Sequence, residues 1–476
     1  MISRRAFLVA GSAIAVTSWG ASLAGCAIGR PYVAPQPDLP ARFPAQADTP
    51  TSSPMALASW WRGLGDPVLS ACVEAALKNN ADLRAAVARI EQARAALDSV
   101  RALSLPIGQI SGVAGRGEDS ASSPEGRLLE GFRLSRESDL YASVLTIGWE
   151  TDLFGQIRQA REARAAQVEM KDEMARAMRV AIAAETARAY VLLRALQQRS
   201  AALDARIALA ERALSLDQRR ASVGEGAVVK VSEDKAELAA LRSARPTLDA
   251  GLVRAADTLD VLEGAPLGQS RALLAKSRDL PMALPAAVLD TPAAAVARRP
   301  DVAAAERAIA ASHAGVRVAM ARFYPSVSLG GLVGFSSTDA ARLFDPDAKL
   351  WLGGASVRWR LLDWGRLNAD LREARGREAE ALAVYRATTE KSAGEIDTAL
   401  AAMRAGAERT RQVEALIGEI EKVRRAADRA RAVGETTLDP VLRADQQLWQ
   451  ARDQGVVARS AALEASIDLY RALGAV

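Results

Sequence analysis

"SVRWRLLDWGRLNADLREA", Ser356–Ala374, opens as an alternating strand pattern and closes as a charged helix. A near copy, "LTIGWETDLFGQIRQAREA", spans Leu145–Ala163. Both carry the spacing Trp-x5-Gly, at Trp149 and Gly155 and at Trp359 and Gly365. A chain that makes the same strand-to-helix corner twice is built from two copies of one unit.

Other spacings give the length of that unit. At an offset of 219, Asp82 meets Asp301, Pro106 meets Pro325 and Gly112 meets Gly331. At an offset of 210, Tyr141 meets Trp351 and Gly224 meets Gly434. The change of offset falls between Gly112 and Tyr141, in a polar, Gly- and Ser-rich stretch that reads as a loop.

The N-terminus reads as an export signal. "MISRRAFLVAGSAIAVTSWGASLAGC", Met1–Cys26, has a basic start, an apolar middle, and small residues before a cysteine. That ending suits lipoprotein processing, in which the Cys26 thiol takes a diacylglycerol and the leader is cut away before it. Ala27, where an acidic residue would favour inner-membrane retention, points to the outer membrane. Ser3–Leu8 also resembles a twin-arginine signal, so general secretory and twin-arginine export both stay open. Without Cys26 the only thiol is Cys72, which excludes an internal disulfide; its apolar neighbours at helical spacing make it a core residue.

Composition narrows the class. Hydrophobic residues make up 50% of the 476, aromatic residues 4%, and the net charge is +5, with no dense basic run interleaved with aromatics. Nucleic-acid binding therefore has no support. No nucleotide Gly-loop follows a strand, no Cys/His set has ligand spacing, and no nucleophile elbow occurs, so neither enzyme, cofactor nor metal is expected. The single His313 lies on a helix face without partners at ligand spacing.

Of four strand stretches, three alternate with period two. Val327, Leu329, Val333 and Phe335 share one face of the third; Trp351, Ala355, Val357, Trp359 and Leu361 share one face of the fourth. Tyr141, Leu145, Ile147 and Trp149 do the same in the second, whereas the stretch around Pro106 alternates poorly. Tyr141 and Trp149, like Trp351 and Trp359, lie eight positions apart. Eight strand residues span about 26 Å, or near 19 Å of height at about 45° tilt. Such spacing suits the two aromatic girdles of an outer-membrane barrel. Four strands cannot close, and open edges in lipid cost several kcal/mol per unpaired group, so the pattern demands oligomers; three copies would supply twelve strands.

The helical stretches are long. Residues 156–222 and 366–433 lack proline and would each reach about 100 Å at 1.5 Å per residue. Both end in glycine-marked turns, "VGEG" and "VGETTLDP", followed by returning helices. The expected organisation is a signal peptide (1–25), a lipidated segment (26–65), a first repeat (66–263), an equatorial linker (264–291) and a second repeat (292–476). Strands are expected at about 103–115 and 140–152 in the first repeat, and at about 324–336 and 350–362 in the second.

"ARRPDVAAAERAIAASHAGVRVAMARFYPSVSLGG", "WWRGLGDPVLSACVEAALKNNADLRAAVARIEQARA" and "WETDLFGQIRQAREA" closely resemble the TolC-type outer-membrane factors, in their efflux lipoprotein (NodT-like, OprM-like) subgroup. The resemblance runs from about Trp60 to the C-terminus. It implies a mainly α protein with membrane β: a homotrimeric twelve-stranded barrel, four strands per chain, continued by a long periplasmic α-helical barrel. It further implies a periplasmic adaptor and an inner-membrane pump, often proton-driven, as partners, and export of drugs or metabolites. Gly224 and Gly434 would then mark the periplasmic tips. In the family the helix after the second tip often reads like "LxVLDAQ", with its Asp at the constriction; here Arg443 stands in that place. Asp439, at i,i+4, is expected to pair with Arg443, although Arg443 pointing outward into solvent fits the sequence as well. A lipid-anchored helical scaffold or adaptor without a pore is the other reading of the long hairpins.

Overall fold

The computed structural model describes residues 29–45, 58–225, 228–273, 278–281 and 291–476. In chain order these form α1 (Pro67–Asn79), α2 (Ala81–Ala102), β1 (Ile107–Glu118), α3 (Pro124–Gly131), β2 (Glu137–Thr151), α4 (Gln156–Ser222) and α5 (Val228–Glu263). There follow α6 (Gln269–Leu273), α7 (Pro292–Ala297), α8 (Pro300–Ala321), β3 (Ser326–Ser337), β4 (Lys349–Arg358), α9 (Trp364–Ala432) and α10 (Asp439–Ala472). Among the described residues no helix is long and apolar enough to cross a membrane.

Two compact units divide the chain. One comprises residues 1–35, 91–170 and 306–383; the other comprises 36–90, 171–305 and 384–476. The first holds an antiparallel sheet in the order β1-β2-β3-β4. Register puts Ile110, Leu145, Val333 and Trp351 side by side, and Trp149 beside Leu329 and Ala355. Strand alternation makes this one face, and its apolar side chains are exposed: Trp351 is 82% and Ile110 75% accessible. The opposite face mixes polar Gln109, Ser111, Thr146, Ser328 and Ser356 with apolar Val113, Val144, Leu332, Leu350 and Leu352, with glycines between. At Gly334 a Cβ would lie 2.2 Å from the Ser143 carbonyl oxygen, so only glycine lets β3 approach β2 there.

The strand ends differ from the sequence expectation. β1 starts at Ile107 rather than 103, because Leu103, Ser104 and Leu105 close successive turns onto Val100, Arg101 and Ala102 before Pro106. β4 ends at Arg358, leaving Trp359 in the exit turn, where its Nε1 donates to the Phe323 carbonyl at 3.1 Å. Trp149 Nε1 donates likewise to the Ser104 carbonyl at 3.0 Å. The two corners are not identical. Gly155 has φ 74° and Asp152 caps α4 through the Ile157 and Arg158 amides, whereas Gly365 lies inside the first turn of α9.

The second unit is helical, with a core of Trp60, Leu69, Val73, Tyr190, Leu259, Ile467 and Tyr470 around Ala183 and Ala187. Trp60 stacks on Tyr470 at 5.6 Å and donates to the Ala475 carbonyl. In the α9–α10 hairpin a Cβ on Gly406 would meet Ala462 Cα at 3.0 Å, and one on Gly455 the Ile417 side chain at 3.1 Å. These glycines permit a close helix approach.

Helical periodicity runs through residues 66–101 and 293–322, yet the helices break within both, at equivalent places. Buried Asn80 caps α2 through the Asp82 amide and donates to the Leu262 carbonyl at 3.0 Å. Buried Arg299, 219 positions later, donates to the Ala472 carbonyl at 2.9 Å and binds Asp301 and Glu395, each at 2.7 Å. Leu262 and Ala472 are themselves 210 apart, as are Gly264 and Gly474, both at positive φ. Each polar side chain thus pins a helix break to the C-terminal end of a returning helix.

Arg299→Met leaves two partly buried carboxylates without their cation. It is expected to cost about 2–4 kcal/mol, somewhat below the usual range of about 3–5 kcal/mol because both carboxylates are about a third exposed. Asn80→Ala is expected to cost about 1–2 kcal/mol. Denaturant unfolding in detergent, followed by circular dichroism, checks the order; equal losses would contradict it.

Candidate functional site: the sheet face and the hairpin ends

The girdle residues lie in the first unit. Trp149, Trp351 and Trp359 are exposed and Tyr141 half-buried, with Tyr141 and Trp149 on the apolar face of β2. An apolar sheet face open along its length belongs against lipid or another chain.

Cys26 lies outside the described residues, but the segment after it is held. The Tyr32 hydroxyl reaches Glu306 Oε1 at 2.5 Å, and His313 Nε2 lies 3.0 Å from the Arg30 carbonyl. His313 Nδ1 meets Glu378 at 2.7 Å. Among the described residues no group of side chains is arranged to hold a metal ion. Burial pushes the Cys72 thiol far up, helped by Glu263 beside it, so this thiol is inert.

The ends of the long hairpins lie in the second unit and are built alike. After α4, Gly224 takes φ 78° and the Glu225 amide donates to the Arg220 carbonyl at 3.0 Å. After α9, Gly434 takes φ 78° and the Glu435 amide donates to the Ala430 carbonyl at 2.9 Å. This is the left-handed glycine cap that satisfies the last carbonyls of a helix. A Cβ at either glycine would meet open space. Val223, Val228, Val229 and Val433 flank the turns and are about 70% exposed or more. Their signal was present in "SVGEGAVV" and "AVGE", where apolar residues stand beside turn glycines, but the sequence reading took only the glycines.

Beside Gly224, α4, α5 and α10 enclose a groove of about 470 Å³. Asp439 faces it, paired with Arg220 of α4 at 2.7 Å, not with Arg443 as expected. Asp445 is likewise taken by Arg424 of α9 at 2.6 Å. Both acids reach across to a neighbouring helix because a long arginine there arrives without bending along its own helix. Arg443 is exposed, lines the groove, and makes no ion pair among those described. Burial, then the neighbouring Asp234 carboxyl and Asp439, push Asp217 above the ordinary carboxylate range, which Arg220 only partly offsets.

Comparison with known proteins fits this architecture. The pyoverdine export outer membrane protein OpmQ of Pseudomonas putida is 29% identical over 423 residues, covering 87% of each chain. The outer membrane protein OprJ of Pseudomonas aeruginosa is 29% identical over 479 residues, covering 98% of this chain and 96% of its own. The solved outer-membrane channel OprN matches with a TM-score of 0.83 at 29% identity, over 95% of this chain and 99% of its own. The Campylobacter jejuni CmeC channel shares the fold, with a TM-score of 0.84 at 21% identity over 94% of this chain and 95% of its own. The pattern of the outer membrane efflux proteins matches residues 72–265 and 291–475, and the chain belongs to that family.

Proposed function

We propose that three copies of this chain close a twelve-stranded outer-membrane barrel continued by a helical tunnel, in two repeats per chain (66–263 and 292–476). The channel passes small molecules outward from the periplasm, working with a periplasmic adaptor and a proton-driven inner-membrane pump. The observation that carries this reading is the apolar sheet face, exposed and bounded by two edge strands that lack strand partners among the described residues. A poreless lipid-anchored scaffold has no use for such a face. OpmQ is named for pyoverdine export, and a small organic cargo of that general kind is proposed here. No catalytic step is assigned.

Planar-bilayer recordings of the purified protein are the direct test. Discrete conductance steps from heat-resistant trimers support the reading; trimers that insert without conducting overturn it.

Three finer assignments follow. Lipid attached at Cys26 anchors the mature protein, and Cys26→Ser is expected to abolish labelled palmitate incorporation while keeping partial efflux, since one or two chains anchor only modestly beside a barrel. Gly224 and Gly434, with their flanking valines, form the tips that touch the adaptor. Inserting a bulky residue beside either glycine is expected to abolish efflux yet leave trimers in the membrane, as read by drug accumulation and native gels. Loss of trimers would make these core positions.

Arg443 faces the periplasmic mouth beside Asp439, where a ring of carboxylates would favour cations. Arg443→Asp is expected to raise cation over anion selectivity severalfold, measured as a reversal-potential shift in a salt gradient. An unchanged reversal potential would place Arg443 away from the pore.

A further inference from the structure

Within the first unit, α4, α8 and α9 enclose a groove of about 640 Å³. Small-ligand pockets have that size, about 300–1,000 Å³. Met170 of α4, Ala311 and Val318 of α8, and Ala374 of α9 give it an apolar floor. Gly315 lies midway along the α8 side, and a Cβ built there meets nothing within 4 Å. The space is open, not filled by a neighbouring helix of the chain.

Five charged side chains line the groove: Arg164, Arg322, Asp370, Glu373 and Arg377. Arg322, just past α8, binds Asp370 of α9 at 3.3 Å, and Arg377 binds Glu373. Both acids are therefore taken. Arg164 makes no ion pair among the described residues; its Nη1 donates to Gln167 Oε1 at 2.9 Å. The Gln167 amide nitrogen donates to no group among the described hydrogen bonds. One surplus positive charge and an amide donor thus stand together beside an apolar floor.

The opposite side of α8 holds the N-terminal segment. Glu306 receives the Tyr32 hydroxyl, His313 lies against the Arg30 carbonyl, and Arg317 packs on Gly29. At about 100° per residue, Glu306, His313 and Arg317 share one helix face, and Ala308, Ala311 and Gly315 share the opposite one. Gly29 is three residues from Cys26, whose lipid belongs outside the tunnel, so the groove looks inward. α4 and α8 adjoin β2 and β3, the middle strands of the sheet. Neighbouring copies would join at β1 and β4, away from these two helices.

We propose that this groove is a binding site for cargo in the tunnel wall, and that it takes a small organic anion with an apolar body. The carboxylate sits against Arg164 and the Gln167 amide, and the body lies over Met170 and the alanines of α8. The proposal rests on the reading of the chain as a channel with its Cys26 lipid outside. A cation would meet the charge of Arg164 while Asp370 and Glu373 are already engaged. Conduction needs sites that hold a solute weakly enough to release it, and a groove open to the tunnel does that.

The test is single-channel recording of the full-length trimer in planar bilayers with 1-naphthoate as the probe. Naphthoate is expected to interrupt the current in short blocks, and 1-naphthylmethylammonium, a cation of like shape, at least about tenfold more weakly. Arg164→Gln is expected to weaken the naphthoate block about tenfold, the loss of one charged hydrogen bond, and Arg164→Lys to restore most of it. Gly315→Leu, which fills the open space, is expected to remove the block. Arg164 is exposed, so Arg164→Gln covers a Gly315 variant that fails to assemble. Conducting channels that naphthoate does not block, that both probes block equally, or in which Arg164→Gln changes nothing overturn the anion site and leave the channel reading intact. Trimers that insert without conducting overturn the channel reading and the site with it.

Discussion

Everything about the sheet depends on its two outer edges. β1 offers 12 residues and β4 offers 10, and among the described residues each has a strand neighbour on one side only. In the hydrocarbon of a bilayer every unpaired amide or carbonyl costs several kcal/mol, so a four-stranded sheet with an apolar face cannot stay there alone. Pairing β4 of one copy with β1 of the next removes both edges at once. One face carries Ile110, Leu145, Trp149 and Trp351, while the other mixes Gln109, Ser111, Thr146 and Ser328 with Val144, Leu332 and Leu352. Glycines such as Gly334 then set how closely the strands approach, a matter of backbone contact and not of side-chain packing.

The two helix breaks are built alike but differ in chemistry. Asn80 and Arg299 occupy equivalent breaks and donate to equivalent carbonyls, Leu262 and Ala472. Asparagine does this as a neutral side chain that also caps the next helix. Arginine, being charged, needed acids, and Asp301 and Glu395 provide them. Burial works against the Asp301 carboxylate, but hydrogen bonds from Arg299 and the backbone outweigh it and hold its pKa below the ordinary range. That contribution is present at neutral pH and is lost as pH falls through the lowered value.

Much of this was legible in the residues, and the gaps have physical causes. β2 and β4 announce themselves because bulky apolar residues alternate with polar ones. β1 does not, because Gly108, Gly112, Ala114 and Gly115 put small residues on both faces and erase the period. The breaks at Asn80 and Arg299 were hidden because helical periodicity continues across them, and each polar side chain also bonds a carbonyl about 180 residues away, which no local pattern announces. The Asp439–Arg443 expectation failed for a related reason. Spacing along one helix gives candidate partners, but Asp439 is engaged by Arg220, 219 positions distant in sequence and adjacent in space. The glycine turns were readable because a left-handed cap is a local requirement. The exposed valines beside them show their meaning only once their lack of cover is known.

The first hairpin also grades its own stability along its length. Its shaft is sealed by Leu203, Ala210, Leu238 and Leu241, with Leu214 the last apolar residue toward the turn in that cluster. Beyond it stand ion pairs within single helices, Asp217 with Arg220 on α4 and Lys230 with Asp234 on α5. Ion pairs with exposed members contribute about 0–1 kcal/mol each, whereas a buried leucine contributes about 1.5–3 kcal/mol. Local opening is therefore cheapest at the last turns before Gly224 and becomes steadily costlier up the shaft. Segments that must move in function are drawn from the least stable part of a structure. This chain puts its weakest contacts at the end of the hairpin, where buried leucines give way to partly exposed ion pairs.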